Sequence, residues 1–599
     1  MQEYTTPGAV QIAPEENLTT SLFDAAATTP NRPAVAVRVG DEFQTWTTKQ
    51  VADTVRDIAK GLAASGIEPG SRVCVFSKTR LEWTLLDFAI WTAGCVTVPI
   101  YETSSAEQVE WIVSDSEAVA IFCEDDALKA VFDEVSGNLP GCEHAFVIEH
   151  GALEDLKTLA ADVSDEEIES RRSAVTTEDL ATLVYTSGTT GRPKGCAITH
   201  GNFIWDAAQV ELVSREFFTA GESTLLFLPL AHIFARVIQI GCIRAGVVLG
   251  YSTGIPQLLE ELQMFKPSFL LSVPRVFEKV YNGAQQKAHA EGKGAIFDKA
   301  AQTAIDYARE SATGKVSLKT KALHGVFDKL VYSKLRAAMG GNVKYAVSGG
   351  AALGERLGYF FQGIGVLILE GYGLTETTAG ATINSPQSYK VGTVGKPLPG
   401  VTVRIAEDGE VLMKGGNVFQ GYHNNEEATA EAIDADGWFH SGDIGELDNE
   451  GFLRITGRKK ELIVTAGGKN VAPAVLEDRM RAHPLVSQTM VVGDAQPFIA
   501  ALIAVDPEEF PRWAEQHGKT GKQVGDLVDD ADLRATLEEA VNDANKAVSK
   551  AEAIKAFRVV PEDFTIEGGE LTPTLKVKRN VVAEKYAHII DDIYSGSKD

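Results

Sequence analysis

Cysteine is scarce. The chain has six in 599 residues, and no two stand in a Cys-x-x-Cys pair. That excludes a disulfide framework, and a chain this long buries a large core without one. Reduced, buried thiols in a cytoplasmic protein are the expectation. Long apolar runs are missing as well. Val237 to Tyr251 comes nearest and Arg244 interrupts it, so nothing reaches the about 18 residues that a membrane-spanning helix needs. The first residues, Met1-Gln2-Glu3-Tyr4-Thr5, hold an acid and no basic stretch ahead of an apolar one, so no secretory leader is expected. Positive charge is in deficit: 56 Lys and Arg stand against 83 Asp and Glu, a net −27. That balance speaks against nucleic acid as a partner and against a polybasic membrane anchor. It leaves phosphate-bearing small ligands open, because those read local charge. Internal repeats and low-complexity tracts are lacking. A content of 44% hydrophobic and 23% charged residues belongs to a folded globular chain, and the length implies several domains.

What the chain does have is alternation. Arg72-Val73-Cys74-Val75-Phe76 reads as a buried strand, Leu81 to Trp91 has helical spacing, and Cys95 to Ile100 is strand again. Ala118 to Phe122 and Ala145 to Ile148 continue the pattern. Strands alternating with helices predict an α/β fold of parallel sheets covered on both faces. The acids Asp162, Asp165, Glu166, Glu167 and Glu169 read as a solvated linker. Beyond about residue 455 the texture changes. Glu461 to Val464, Gln488 to Gly493 and Ile499 to Val505 read as strands, and Leu533, Leu537, Ala540, Val541, Ala544, Ala547 and Val548 fall at helical spacing. A small α+β domain is expected there.

Thr182-Leu183-Val184-Tyr185 is strand-like and runs into Thr186-Ser187-Gly188-Thr189-Thr190-Gly191-Arg192-Pro193-Lys194-Gly195. Glycines allow backbone shapes that other residues resist. Hydroxyls and exposed N–H groups wrap phosphate oxygens, and Lys194 adds a point charge. The loop is a phosphate cradle by chemistry, yet it is not a Walker A loop, which ends in Gly-Lys-Ser/Thr; here Pro193 precedes Lys194 and Gly195 follows it. A plain surface loop is the competing reading of a short Ser/Thr/Gly run. The full string is far more specific.

With that string the chain resembles the AMP-forming acyl-adenylating enzymes: acyl-CoA synthetases, luciferases and the adenylation domains of peptide synthetases. The likeness continues in order through Pro229-Leu230-Ala231-His232-Ile233-Phe234-Ala235-Arg236, Ser348-Gly349-Gly350-Ala351-Ala352 and Gly371-Tyr372-Gly373-Leu374-Thr375-Glu376-Thr377. It goes on through Ser441-Gly442-Asp443, Arg454 to Lys460, and Pro573-Thr574-Leu575-Lys576-Val577-Lys578-Arg579. Val273 to Lys279, Gly195 to Phe203 and Asp436 to Lys460 are similar to the long-chain fatty acyl-CoA synthetase group. Two positions depart from the pattern. Gly457 stands where many members have Asp, and Leu575 stands where many have Gly before the lysine.

The resemblance implies a large N-terminal adenylation domain, residues 1–458, of parallel β-sheets flanked by helices with a small β subdomain. It implies a mobile α+β C-terminal domain, residues 459–599, swinging on a hinge at 458–460. The implied reaction joins a fatty acid to coenzyme A (CoA) through acyl-AMP, with ATP and Mg²⁺. Thr186, Ser187, Gly188, Thr189, Thr190, Gly191 and Lys194 would hold phosphates, and Thr186 and Glu376 would hold Mg²⁺. Gly350, Ala351, Tyr372 and Gly373 would face adenine, and Asp443 and Arg458 the ribose and α-phosphate. The catalytic set is Lys576, His232, Glu376 and Thr375; Lys460 is the pivot, and Gly467 and Gly468 would let the pantetheine arm pass. Each has a plainer reading: helix capping for Thr375 and Glu376, core packing for Tyr372 and His232, a turn for Asp443, a solvated basic stretch for Lys576.

An apolar stretch, Tyr359 to Leu369, leads into the adenine motif. Its glycines, Gly363 and Gly365, either leave room for an alkyl chain or serve ordinary packing. Three readings of function stay open: a CoA ligase, an acyl-AMP ligase serving a carrier protein, and a non-catalytic lipid-binding homologue. A homodimer is compatible with the resemblance. Peripheral membrane contact is compatible with a substrate that partitions into bilayers, although no segment shows it.

Overall fold

The computed structural model describes residues 2–186, 192–466, 469–572 and 575–595. Val73, Val75, Val98 and Ile121 are fully buried, and neighbours on both faces of their strands are buried with them. Such strands need cover on both sides. They belong to a seven-stranded sheet ordered Gly421–Tyr422, Lys194–Thr199, Leu180–Thr186, Val96–Ile100, Arg72–Phe76, Ala120–Cys123, His144–Val147. Its last five strands are parallel, as expected. The first two are antiparallel, so the sheet is mixed. The cause is local: after the phosphate-type loop the chain turns straight back as a hairpin, with no crossover helix. A four-stranded sheet and a second five-stranded one, Phe269–Ser272 through Lys396–Pro397, complete the α/β body.

A separate five-stranded unit carries Thr402–Ile405, Glu410–Lys414, Phe439–Leu447 and Leu453–Arg458, with the N-terminal strand Glu3–Thr5 paired at its edge. The C-terminal portion is built on Val486–Val492, Ile499–Val505 and Ile554–Val559. Alternate residues of the middle strand explain its two cores. Ile503 and Val505 meet the helices Pro473–Arg481 and Ala531–Asn545, while Leu502 and Ala504 meet Arg579–Lys585 and Ala587–Ser595. Among the described residues no helix is long and apolar enough to cross a membrane.

One expectation changes, and one open alternative is decided. The acidic run is not a linker. Ser164 accepts a hydrogen bond from the Glu167 N–H (3.1 Å) and starts the helix Asp165–Ser173. Asp165, Glu166 and Glu167 occupy its first turn and Arg171 and Arg172 its last, complementing the helix dipole. Nor do the glycines after Tyr359 open a channel. Gly363 ends the helix Glu355–Gly363, and a Cβ there would lie 2.1 Å from the Ala304 carbonyl oxygen. Packing is its role.

One buried charge joins four elements of the body. Arg236, fully buried in the helix Ile233–Ala245, donates to both oxygens of Asp87 (2.6 and 3.2 Å) and to the Thr182 hydroxyl (2.6 Å). Asp87 sits in the helix Leu81–Thr92, and Thr182 in the strand that ends at Thr186. Trp83, Trp91 and Phe203 place their rings 5.3–5.4 Å from the guanidinium carbon. Removing one partner of such a pair leaves a buried charge without compensation. Arg236→Ala is expected to lower unfolding stability by about 3–5 kcal/mol, read from the midpoint of urea unfolding. Arg236→Met is expected to cost less, because the stem still fills the space between the rings.

Candidate active site

The hairpin Leu180–Thr186/Lys194–Thr199 sets Thr186 directly opposite Lys194. The loop residues Ser187, Gly188, Thr189, Thr190 and Gly191 lie outside the described residues. The Lys194 ammonium stands 4.7 Å from the centre of the Tyr422 ring. The Tyr422 hydroxyl donates to Glu376 Oε1 (2.8 Å). Tyr422 reaches this place because its short strand pairs with Lys194–Thr199, Tyr422 opposite Cys196. Glu376 is carried on the short turn Thr375–Thr377, which the left-handed Thr378 and Ala379 close at φ 51° and 75°. A Cβ at Gly373 would lie 1.9 Å from the Ala379 carbonyl oxygen, so only glycine lets that turn fold back. The side chain of Glu376 is therefore presented by a tight turn and not by the start of a helix.

Asp443 and Arg458 face each other in register across two antiparallel strands. Asp443 accepts from the Tyr372 hydroxyl (2.6 Å), and the Arg458 Nε lies 3.1 Å from its other oxygen. Burial and the Asp443 carboxylate push the Tyr372 phenol well above its ordinary pKa, so it stays a donor. Gly350 has φ +81°, and together with Ala351 it turns the chain between the strand Tyr345–Ser348 and the helix Glu355–Gly363. The hydroxyl oxygen of Ser348, just before the turn, is buried and finds no partner among the described residues. A glycine turn beside an unpaired polar atom, and a carboxylate already aimed by two donors, suit the base and sugar of a nucleotide.

His232 caps the helix Ile233–Ala245, its Nδ1 accepting the Phe234 N–H (3.2 Å). The remaining ring proton is then on Nε2. Burial, reinforced by the charge of Lys576, lowers its pKa to about 4, so the imidazole is neutral at physiological pH. Lys576 comes from the C-terminal portion on a loop drawn together by the Leu571–Val577 bridge. Its N–H bonds the Thr572 hydroxyl (3.0 Å) and its carbonyl accepts the Thr572 N–H (2.8 Å). The side chain is exposed and lines the cavity. The surrounding protein and the nearby Arg458 charge lower its pKa, while Asp443, Glu461 and Glu376 act in the opposite sense. Leu575 has φ +61°, a backbone region that favours glycine. Gly467 and Gly468 lie outside the described residues.

One cavity of about 2670 Å³ is lined by Thr186, Lys194, His232, Gly350, Ala351, Tyr372, Gly373, Thr375, Glu376, Asp443, Arg458, Lys460 and Lys576. Residues about 400 positions apart in sequence thus share one chamber. Thr186 and Glu376 contribute a hydroxyl and a carboxylate, both hard oxygen donors. Among the described residues no three His, Cys, Asp or Glu side chains gather to hold a metal. A divalent cation held here would take a carboxylate, a hydroxyl, phosphate oxygens and water, the donor set that suits Mg²⁺. The same cavity has an apolar wall between the helices His200–Val213 and Ile233–Ala245, with Val210, Phe217, Phe218, Val237, Ile238 and Gly241. Sequence reasoning missed this wall and Tyr422. Its one local signal is Gly241 inside a helix, where a Cβ would meet the Phe218 ring at 3.0 Å.

This chamber sets polar, phosphate-suited groups beside an apolar wall in an α/β protein. The AMP-binding enzyme model matches residues 22–423 and the AMP-binding enzyme C-terminal domain model matches residues 460–598. The chain belongs to the AMP-binding enzyme family. It is similar to the long-chain-fatty-acid–CoA ligase FadD15 of Mycobacterium tuberculosis, with 50% identity over 599 residues that take in 99% of this chain and 100% of the relative. It is similar to long-chain-fatty-acid–CoA ligase 1 of Homo sapiens, at 31% over 603 residues, 95% of this chain and 85% of the relative. Among solved structures, the adenylation domain of a carboxylate reductase from Mycobacterium chelonae aligns with a TM-score of 0.77 at 22% identity, covering 97% of this chain and 92% of that one. The Mycobacterium tuberculosis fatty acyl CoA synthetase aligns with a TM-score of 0.62 at 22% identity, covering 96% and 99%. These two alignments show a shared fold.

Tyr422→Phe keeps the ring beside Lys194 and removes the bond to Glu376. ATP binding in the presence of Mg²⁺ is expected to weaken about tenfold or more, while AMP binding stays unchanged; titration calorimetry reads both.

Proposed function

We propose that the chain is a long-chain fatty acid–CoA ligase that works in two steps. A carboxylate oxygen attacks the α-phosphorus of ATP and pyrophosphate leaves; the CoA sulfur then attacks the acyl carbonyl and AMP leaves. The observation that carries the reading is the meeting of Lys576 with His232, Glu376, Asp443 and Arg458 around one cavity that has an apolar wall. Full-length likeness to two long-chain-fatty-acid–CoA ligases supports the substrate class.

Both steps build negative charge on oxygen, which fixed cations and N–H donors stabilise. We read Lys576 as the group that bridges carboxylate and α-phosphate. His232, neutral and protonated at Nε2, offers an N–H to the acyl oxygen without adding a charge that would hold the acid back. Asp443, oriented by Tyr372 and Arg458, accepts from the ribose hydroxyls. Gly350, Ala351 and Gly373 let backbone approach the base. Thr186 to Lys194 is the candidate cradle for the β- and γ-phosphates. Thr186 and Glu376, the latter next to Thr375, would hold Mg²⁺, which supplies positive charge to the phosphate oxygens when bound.

We further read residues 1–458 as the adenylating body and 459–599 as a domain that rotates between the steps, pivoting at 458–460. Lys459 is tied to Asp408 (2.5 Å) and Glu410 (3.0 Å), whereas Lys460 makes no ion pair among the described residues, which suits a pivot just past an anchor. The present arrangement, with Lys576 in the cavity and Arg275 paired to Asp506 (2.9 Å), is the one suited to adenylation. Rotation would withdraw Lys576 and admit CoA past Gly467 and Gly468. A long-chain acid partitions into bilayers, so the reading takes in peripheral contact with a membrane.

Lys576→Ala is expected to slow acyl-AMP formation about 100–1,000-fold. Thioester formation from preformed acyl-AMP should stay near the parent rate, and equal losses in both steps would remove Lys576 from its assigned role. The function itself is tested by pyrophosphate release with ATP, Mg²⁺ and acids from short to very long. Apparent affinity should rise about fourfold per methylene, from about 0.8 kcal/mol each, until the apolar wall ends. Free CoA should complete the reaction; acyl-AMP that only a carrier protein can discharge would favour the carrier-dependent ligase, and silence across the panel a non-catalytic homologue. The pH profile follows from the lowered pKa of Lys576. Adenylation should be lost as pH rises through a value below the ordinary lysine range, and Lys576→Arg should shift that limb upward.

A further inference from the structure

The helix Leu318–Phe327 lies outside the chamber and has one face to spare. Its rotation is fixed from the inside. Phe327 is buried, the His324 ring stacks on Tyr307 at 3.9 Å, and His324 Nε2 lies 2.6 Å from the Gly363 carbonyl oxygen. The opposite face therefore points to solvent. It carries Leu318, 87% exposed, then Ala322 and Val326 at successive four-residue steps, and Leu330 follows just beyond the helix. Lys319 and Lys321 flank this stripe on its two sides.

Charge singles out the same segment. Residues 315–336 hold Lys315, Lys319, Lys321, Lys329, Lys334 and Arg336 against one acid, Asp328, in a chain of net −27. Asp328 is already paired with Arg336 (2.8 Å). Glu310, the acid at the start of the helix, is taken up by the Ser317 N–H (2.6 Å) and the Thr320 hydroxyl (2.9 Å). Glu291, on a neighbouring turn, senses the Lys334 charge but pairs with Lys293 (2.7 Å). None of the five lysines makes an ion pair with any described residue. The location is also telling. The next helix, Ser333–Ala338, packs on Leu258–Phe265, beside which Ile255 and Leu259 are exposed, and Ile255 lines the cavity.

We infer that residues 315–336 form a docking surface for an anionic lipid bilayer. An apolar stripe rimmed by lysines matches a membrane interface. The leucines and valine enter the acyl boundary, and the long lysine stems carry their charges back to the phosphate level. The net acidic remainder of the chain is repelled by the same membrane, so this basic face favours one orientation. The contact serves substrate entry if the ligase reading holds, but the docking itself requires no turnover.

The test uses the full chain and vesicles of phosphatidylcholine with and without phosphatidylglycerol, read by co-sedimentation. Binding is expected only with phosphatidylglycerol present and should be reversed by high salt. The triple variant Lys315→Glu, Lys319→Glu, Lys321→Glu should lower the vesicle partition coefficient about 100-fold or more. The double variant Leu318→Ser, Val326→Ser should weaken binding with the charges intact. All five positions are on the surface, so both variants should melt with the parent and ligate a short, water-soluble acid at the parent rate without vesicles. Failure of the parent to bind, equal binding to neutral vesicles, or unchanged binding by the triple variant would overturn the inference. So would self-association of the vesicle-free parent that the triple variant abolishes, because the face would then be covered by a second copy. Absence of ligase activity together with normal vesicle binding would instead count against the proposed reaction and leave the docking surface standing.

Discussion

The buried Arg236 guanidinium is the constraint on which the adenylating body depends. A charge taken fully out of water has to be met by geometry, and here it is met by Asp87 and Thr182, with three aromatic rings around the group. Gln239 donates to the same carboxylate (3.0 Å), and the Thr182 hydroxyl donates to the Thr97 carbonyl (2.6 Å), so the network extends into the neighbouring strand. No member can move without leaving a buried polar group unpaired. Two of the joined elements end at the chamber: the strand through Thr182 finishes at Thr186, and the helix of Arg236 begins at its cap, His232. The separation between a phosphate-side hydroxyl and an acyl-side imidazole is thereby set from the interior.

Within the chamber several of the charges are answered by a named partner. Asp443 is held by a phenol and a guanidinium, Glu376 by a second phenol, and Lys194 by that phenol's ring. His232 is kept uncharged, because burial and Lys576 both oppose its protonation. A neutral donor beside a cationic lysine divides the work at the carboxyl group. On the proposed reading the lysine would neutralise charge that moves between oxygens, and the imidazole would direct the acid without competing for it. The chain's overall −27 has no bearing on this local balance.

The nucleotide side of the site was legible in the sequence because its groups lie in short strings whose backbone and side chains act together. Gly373 is where the turn needs it, and Asp443 faces Arg458 through simple strand register. What depended on distant pairing was not legible. Tyr422 enters only because a two-residue strand adds to the edge of the hairpin, a contact between residues about 226 positions apart. The apolar wall arises from two helices meeting across the chamber, while the stretch from Tyr359, equally apolar, turned inward to pack on Ala304. The acidic helix is a different kind of miss. Ser164 stands three residues before Glu167, a start signal present in the sequence but masked by the density of charge. Leu575 shows the reverse: a departure visible in the sequence whose meaning, a left-handed backbone before Lys576, needed coordinates.

The hairpin that carries the phosphate-type loop has a consequence for how polyphosphate is held. In folds where such a loop opens a helix, the helix supplies about half a positive charge that no side-chain modification removes. Here the chain re-enters a strand, Lys194–Thr199, and the helix begins only at His200, at the far end of that strand. Attraction on this side rests on side chains such as Lys194 and on any bound cation. Dissolved ions screen such groups, and a covalent acyl mark on the lysine erases one of them. On the proposed reading, grip on the leaving pyrophosphate would be a quantity that lysine chemistry adjusts, whereas buried Asp443 on the ribose side carries no lysine to modify.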